Sequence, residues 1–383
     1  MTDWDLLHRL RDAPQLFEAI RAGAGRELQL QKELRRESPD EVVRAALTLA
    51  ELRRKAEAKF TRAPEMWFDR KGLEQATSEP VARHKARRFA GRVWDYCCGN
   101  GGSTIGLAER GEVVAVDLDP ANGLRTQWNA EVYGCGDAVQ AIAGDVERLT
   151  ARDGLVHIDP DRRAGARGRS IRIEDSVPGL EFLRTLTREF AGGAIKLSPA
   201  GNFLGKFAGT EIELVSLQGE ATEAIVWFGS LGNSDQFRAT VLPAGESLTG
   251  RPLEAMPEFG GVERYVYDPD PAVVRAGLVD HLAEQLDLRR LDEAEEYLTS
   301  DRRVESPFVR AFEVDADLPN NDREIRAHFR AAAIGQVEIK CRHIPVQVEA
   351  VRRKLPLGGS QAAVLLFARV GGKARAIVAR RAD

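Results

Sequence analysis

Between Val93 and Gly102 the chain reads V-W-D-Y-C-C-G-N-G-G, and S-T-I-G-L-A-E-R follows. An apolar, strand-like run that bends through glycines directly into a helix-patterned stretch leaves few ways to fold. The bend needs backbone conformations that a Cβ resists, and the next parallel strand can be reached only by a crossover. Strand patterns recur at 92–97, 112–117, 139–144, 154–159 and 193–198, with helical patterns between them. The alternation predicts an α/β domain, a parallel sheet with helices on both faces. The stretches 211–217, 223–229 and 237–242 are expected to be antiparallel strands that close this sheet.

Residues 1–85 read as an N-terminal helical region, with Leu6, Leu7, Leu10, Phe17 and Ile20 at helical spacing. Ser38-Pro39-Asp40-Glu41 predicts a helix start in which Ser38 caps and Glu41 completes a capping box. Beyond the α/β domain (86–245), a segment at 246–305 leads to a small α+β module at 306–383. In that module a strand (FVRAFEV), a helix (REIRAHFRAAAI), a strand (VEIKCRHI), a helix (VQVEAVRRKL) and a hairpin around Gly371-Gly372 follow one another. With 383 residues, 55 Lys and Arg against 59 Asp and Glu, and a net charge of −4, the chain as a whole is no polyanion binder. Nucleic-acid affinity would have to come from local basic patches. The four cysteines form no disulfide framework and show no zinc-ligand spacing, so no metal is expected. The charged N-terminus predicts no signal peptide, and no apolar run is long enough to span a membrane, so a cytoplasmic protein is expected.

The bend also discriminates among ligands. The dinucleotide pattern GxGxxG fails because Thr104 stands at the third glycine position. Asp95, at the strand end, would repel a pyrophosphate but suits an ammonium and a sulfonium. Asp117, at the end of the second strand, can accept hydrogen bonds from ribose hydroxyls. A phosphate- or nicotinamide-binding domain, or a turn that binds nothing, are the alternatives.

D-x-x-x-G-x-G-G followed by V-x-V-D-x-D-P resembles the first motif and the acidic second strand of class I S-adenosylmethionine-dependent methyltransferases, over roughly residues 90–240. The resemblance implies a Rossmann-like class I methyltransferase sheet with S-adenosylmethionine as cofactor. Asp95, Cys97, Gly99, Asn100 and Gly101 would form the loop around its methionine side. Asp117 and Leu118 would lie at the ribose, and Asp145 and Val146 at the adenine. The segment Leu73–Ser78 resembles the entry segment that covers the cofactor in related enzymes, which would bring Gln75 and Ser78 to it. Asp159-Pro160 stands where the family's fourth motif meets the transferable methyl group, so these two are the expected catalytic residues. Asp161 replaces a second proline and Arg162 an aromatic residue of the amine-methylating relatives, which argues against exocyclic-amine chemistry. The fifth-strand loop Lys196-Leu197-Ser198-Pro199 has no cysteine, which argues against a covalent cysteine intermediate.

Asp161, Arg162, Arg163, Arg167 and Arg169 are the expected substrate-binding residues. The arginines crowd a loop with Gly165, Gly168 and Arg172, and their forks match phosphate oxygens. The alternative is a solvated loop with ion pairs to Glu174 and Asp175. A second basic run, Arg83, His84, Lys85, Arg87, Arg88 and Arg92, is expected to be a solvated helix face. The last module, with Lys340-Cys341-Arg342, Arg352-Arg353-Lys354 and Arg380-Arg381, resembles the THUMP-like domain found behind such methyltransferases, and residues 246–305 resemble its ferredoxin-like insert. RNA, tRNA or rRNA, is therefore the expected partner. A module that only buttresses the enzyme or makes a dimer, a methyltransferase for a protein or small molecule, and a catalytically silent RNA-binding protein with a vestigial pocket stay open.

Overall fold

The computed structural model describes residues 2–23, 27–150, 152–162 and 172–382. It divides into two compact units, residues 1–210 with 225–234 and residues 211–224 with 235–383. Among the described residues no helix is long and apolar enough to cross a membrane.

In the first unit, α1 (Asp3–Arg11), α2 (Pro14–Ala22), α3 (Glu27–Glu37) and α4 (Asp40–Ala56) make up the helical region. Val42, Val43, Ala46, Leu49, Leu52 and Ala56 line one face of α4 and are buried in a cluster with Trp67, Phe68 and Trp128. The expected cap is not there. α4 begins with Pro39 at its N-cap and no side-chain cap bond, and Ser38 instead ends α3, its amide donating to the Leu34 carbonyl at 3.0 Å. The first-turn carboxylates Asp40 and Glu41 then meet the positive helix end. Two short helices, α5 (Arg70–Gln75) and α6 (Glu79–Ala86), lead to the sheet.

The sheet of this unit has β1 (Val93–Tyr96), β2 (Val113–Asp117), β3 (Val139–Ala143), β4 (Leu155–Ile158) and β5 (Gly192–Leu197) in the order β5-β4-β1-β2-β3. All four pairings are parallel. α7 (Gly102–Ala108), α8 (Pro120–Val132) and α9 (Leu180–Glu189) provide crossovers. The chain reverses direction in the sheet order beside β1, where β4 flanks it on one side and β2 on the other. That switch point opens the crevice in which ligands of such sheets bind.

The basic run before β1 is a solvated face only in part: Arg83, Arg87 and Arg92 are exposed, His84 and Arg88 are half-buried and Lys85 is buried. Lys85 is 1% exposed. Arg88 lies over the Trp227 ring at 4.4 Å and donates to the Leu231 carbonyl at 2.9 Å, and Arg83 pairs with Glu79 and Glu109. The apolar stems of these cations cover core surface, which a count of charges does not reveal.

β6 (Glu211–Leu217) and β7 (Glu220–Gly229) follow, the division between units falling within β7. In the second unit β8 (Phe237–Leu242) runs parallel to β6, and antiparallel only to β9 (Glu246–Gly250). The expectation of antiparallel strands fails for β8, because β7 turns back at Gln218-Gly219 and the next reversal restores the direction of β6. A second sheet holds β10 (Tyr265–Pro269), β11 (Leu298–Ser300), β12 (Val309–Pro319), β13 (Ile334–Cys341), β14 (Gln361–Val370) and β15 (Lys373–Arg381), in the order β11-β10-β12-β15-β14-β13. Strands from both sides of residue 306 thus share one sheet. α12 (Asp322–Ala331) follows α10 (Pro271–Ala276) and α11 (Val279–Leu286), and its Ile325 and Phe329 are buried against Leu365, Phe367 and Val378 of that sheet.

Glu79, 4% exposed, ties α6 to α8 in the first unit. It accepts from the Thr61 amide at 2.7 Å and the Tyr133 hydroxyl at 2.7 Å. Burial alone would raise its pKa, but the Thr61 and Tyr133 bonds outweigh it and leave Glu79 below its usual 4.5. Burial and the bond to Glu79 push Tyr133 up to about 12. The Glu79 contribution is therefore present above pH 4.5 and lost as pH falls. That of Tyr133 is present below pH 10 and lost as pH rises toward 12. Tyr133→Phe is expected to destabilise the fold by about 1–2 kcal/mol at pH 7 and to weaken the acid dependence. Urea unfolding from pH 4 to 8 checks this; an unchanged pH profile contradicts it.

Candidate active site

The bend after β1 is a run of unusual backbone. Cys97, Gly99 and Gly101 have φ of 58°, 56° and 80°. Gly101 begins α7, and a Cβ there would lie 3.1 Å from the Thr126 Cα, so glycine is required both for its conformation and for the approach of α8. The Asp117 carboxylate pins the bend. Its Oδ2 accepts from the Gly99 amide at 2.9 Å, and its Oδ1 from the Asp119 amide at 3.0 Å and the Asn122 side chain at 3.2 Å. A carboxylate oxygen accepts two bonds, so Oδ2 keeps capacity for one more donor.

Asp95 lies under the bend and is 1% exposed. Its Oδ2 accepts from the Thr104 hydroxyl, and its Oδ1 bonds His157 Nδ1 at 2.7 Å. The carboxylate expected to touch a cationic ligand is instead held by its own chain, and acts on the cleft above through its field. Thr104 breaks the dinucleotide pattern because its hydroxyl is needed here.

At the end of β4, the side chain of Asp159 is one-third exposed and pairs with Lys196 at 2.6 Å. Lys196 stands on β5, is 6% exposed, and also donates to the Gln75 carbonyl at 2.9 Å. Pro160 is buried beside it. Asp161 bonds Lys71 at 2.5 Å and the Gln75 amide at 3.2 Å. These bonds tie α5 over the end of β4, so the Gln75 amide group faces Asp161. Asp145 turns inward on its own chain, accepting from the Glu147 amide at 3.0 Å and pairing with Arg148 at 3.2 Å.

A cleft of about 660 Å³ joins these groups. Gln75, Cys97, Gly99, Asn100, Leu118 and Val146 border it, as do Asp95, Asp117, Asp145, Asp159, Pro160 and Asp161. Gly101 lies behind the lining as the first residue of the α7 cap. Nine Asp and Glu side chains line the cleft against three Lys and Arg. Leu118 is 76% exposed, an apolar shelf at the rim, whereas Val146 is buried. Arg163, Arg167 and Arg169, the loop glycines, and the side chain of Arg162 lie outside the described residues. At the loop's far end Arg172 stands 3.9 Å from Glu174. The bond and charge of Lys206 hold Glu174 at a pKa of about 2.

Three features of the cleft escaped the sequence reading. His157 and Lys196 carried a signal, a polar residue within a strand expected to be buried on both faces. Asp69 carried none beyond its place before a short helix. Burial, then the nearby carboxylates, push both Cys97 and Cys98 well above the usual thiol range, so neither is a thiolate at neutral pH.

Comparison with known proteins places this geometry. Residues 309–381 match the THUMP domain-like family, and residues 90–162 match the family described as RNA cap guanine-N2 methyltransferase. An uncharacterized S-adenosylmethionine-dependent methyltransferase of Mycobacterium tuberculosis, found in strains CDC 1551 and H37Rv, is 35% identical over 314 residues, 79% of this chain and 85% of the relative. A crystal structure from Porphyromonas gingivalis W83, assigned there as a methyltransferase, superposes with a TM-score of 0.76 at 21% identity, covering 91% of this chain and 92% of that one. It shows a shared fold.

In the native protein Cys97 and Cys98 are expected to resist iodoacetamide at pH 8 and to react once the chain is unfolded in urea. Peptide mass spectrometry reads this; rapid native alkylation of Cys98 contradicts its burial, and that of Cys97 contradicts its raised thiol pKa.

Proposed function

Because the chain belongs to the S-adenosylmethionine-dependent methyltransferases, we propose that the acidic cleft at the carboxyl ends of β1, β2 and β4 holds its cofactor and that RNA is the methyl acceptor. The observation that carries the assignment of the cleft is its charge. A lining of nine carboxylates against three cations suits a ligand with an ammonium and a sulfonium, and opposes one with phosphates. The fit is also one of size, since clefts of about 300–1,000 Å³ take ligands of this kind. Buried polar atoms without partners among the described residues, His157 Nε2 and both side-chain atoms of Asn100 among them, belong to side chains beside the same space.

In this reading Asp117 takes a ribose hydroxyl with the remaining capacity of its Oδ2. Leu118 and Val146 flank the adenine, with Asp145 at its edge. Bound there, S-adenosylmethionine supplies a methyl group on an activated leaving group. The protein's task is then alignment and proton removal. Lys196 holds the Asp159 carboxylate at the edge of the cleft, where it orients the acceptor and takes its proton. Cys97 packs the bend and makes no covalent bond to substrate.

Two family matches support RNA, the one over residues 90–162 and the THUMP domain-like one over 309–381. The cations of the second unit support it less directly than their number suggests. Lys340 and Arg342 both pair with Asp268, Arg380 with Asp315, Arg381 with Glu338 and Lys354 with Asp322. Exposed pairs such as the last three are worth about 1 kcal/mol or less, so phosphate can displace them. Arg352 and Arg353 bond only backbone carbonyls among the bonds found, and keep their charge for a polyanion.

Two outcomes follow. Total RNA from a strain lacking the protein is expected to accept labelled methyl from S-adenosylmethionine, and parental RNA is not; labelling of a protein extract instead overturns the RNA reading. Lys196→Met is expected to lower kcat by about 100-fold or more while cofactor affinity changes by less than about threefold. Single-turnover kinetics and calorimetry separate the two, and an unchanged kcat contradicts the role given to the Asp159–Lys196 pair.

A further inference from the structure

In the second unit, the loop between β9 and β10 presents apolar side chains to solvent. Six large apolar side chains stand exposed among the described residues. Three of them share this loop: Leu253, Met256 and Phe259, at 89%, 82% and 53% exposed. The other three, Trp4, Leu118 and Leu204, are scattered singly along the first unit. Single exposed apolar residues are ordinary, whereas a group of them marks a contact surface.

The loop is pinned while its side chains point outward. The Met256 amide donates to Glu284 Oε1 of α11 at 2.7 Å. The Gly260 amide donates to the Arg290 carbonyl at 2.9 Å, and the Arg290 amide donates to the Glu258 carbonyl at 2.8 Å. Leu253 has a φ of 71°, a conformation that suits glycine and that a branched side chain resists. Backbone of this kind persists only where the surroundings impose it, and it gathers at binding surfaces. A hollow of about 580 Å³ adjoins Met256. Glu258, Glu263, Glu284, Asp287 and Asp301 line it against two arginines. Both arginines are already paired, Arg289 with Glu263 and Arg302 with Asp287. Glu258, Glu284 and Asp301 have no ion pair among the described residues, and Glu263 Oε2 is buried without a partner.

The loop and the hollow ask for one kind of occupant. Fixed apolar side chains on a surface gain by burial against apolar side chains of a partner. The surplus carboxylates attract a cation and repel phosphate. We propose that the 253–259 loop and the adjoining acidic hollow form a docking surface for a basic segment of a partner protein, one that carries Lys or Arg between apolar side chains. Its charge is opposite to that of Arg352 and Arg353, so RNA and this partner are held by different residues of the second unit.

Fluorescence anisotropy on the full chain tests the surface with three labelled peptides, of alternating Leu and Lys, Ser and Lys, and Leu and Glu. The wild type is expected to bind the Leu-Lys peptide about tenfold more tightly than either of the others. Leu253→Gly removes the exposed side chain and suits the backbone there. It is expected to keep the wild-type melting temperature and to weaken the Leu-Lys peptide by about tenfold. Glu258→Gln combined with Asp301→Asn is expected to weaken the same peptide at low salt and to have less effect at high salt. Both variants leave the acidic cleft of the first unit intact, so a cationic peptide held only there keeps its affinity, and that result overturns the proposal. Equal binding of the Ser-Lys peptide overturns it too, because the apolar side chains then contribute nothing. A loss of RNA affinity in Leu253→Gly would make the face a nucleic-acid surface instead. Sedimentation covers the remaining occupant: a wild-type dimer that Leu253→Gly dissociates assigns the face to a second copy of the chain and refutes the basic partner.

Discussion

The buried carboxylate of Asp95 joins side chains of three neighbouring elements. It stands on β1, takes the Thr104 hydroxyl from α7 and binds His157 from β4. A buried charge is tolerated only when its bonds are complete, and losing one partner leaves the others stranded. The backbone ladder sets the spacing of β1 and β4, in which Asp95 and His157 are register partners, and the Thr104 bond fixes α7 against them. Asp117 repeats the device one strand over, with backbone amides of the bend as its donors. Two carboxylates, one sealed below the bend and one at its lip, make the floor of the cleft negative before any ligand arrives.

Much of the fold was legible because the signals are local. Each of the five parallel strands was found within one residue of its place, since a buried parallel strand reads as a short apolar run bounded by turn residues. The helix and strand order of residues 306–383 was equally plain, down to the hairpin at Gly371-Gly372. What was not legible depends on distant partners. The direction of β8 follows from β7 lying between it and β6 in the chain.

The cleft shows the same division. Asp117, Asn100, Leu118 and Asp159, which the family resemblance set around the cofactor and the methyl group, all border it. Asp95 and Gln75 do so as well, but their polar groups face other residues of the chain. A sequence shows that an acid stands at a strand end, and says nothing of whether Thr104 and His157 satisfy it. Lys85 looked like one more solvated cation and is buried. Charge counts fail in the second unit for a related reason, since most of its named arginines and lysines already have acidic neighbours on adjacent strands or helices.

The central claim is that the crevice prefers a cationic, phosphate-free nucleoside because its floor and walls are carboxylates. Parallel calorimetric titrations of the wild-type chain with S-adenosylmethionine and with NAD, at matched ionic strength, test it most directly. The account predicts saturable one-to-one binding of S-adenosylmethionine and no measurable heat from NAD. Binding of NAD with comparable or greater affinity would contradict it.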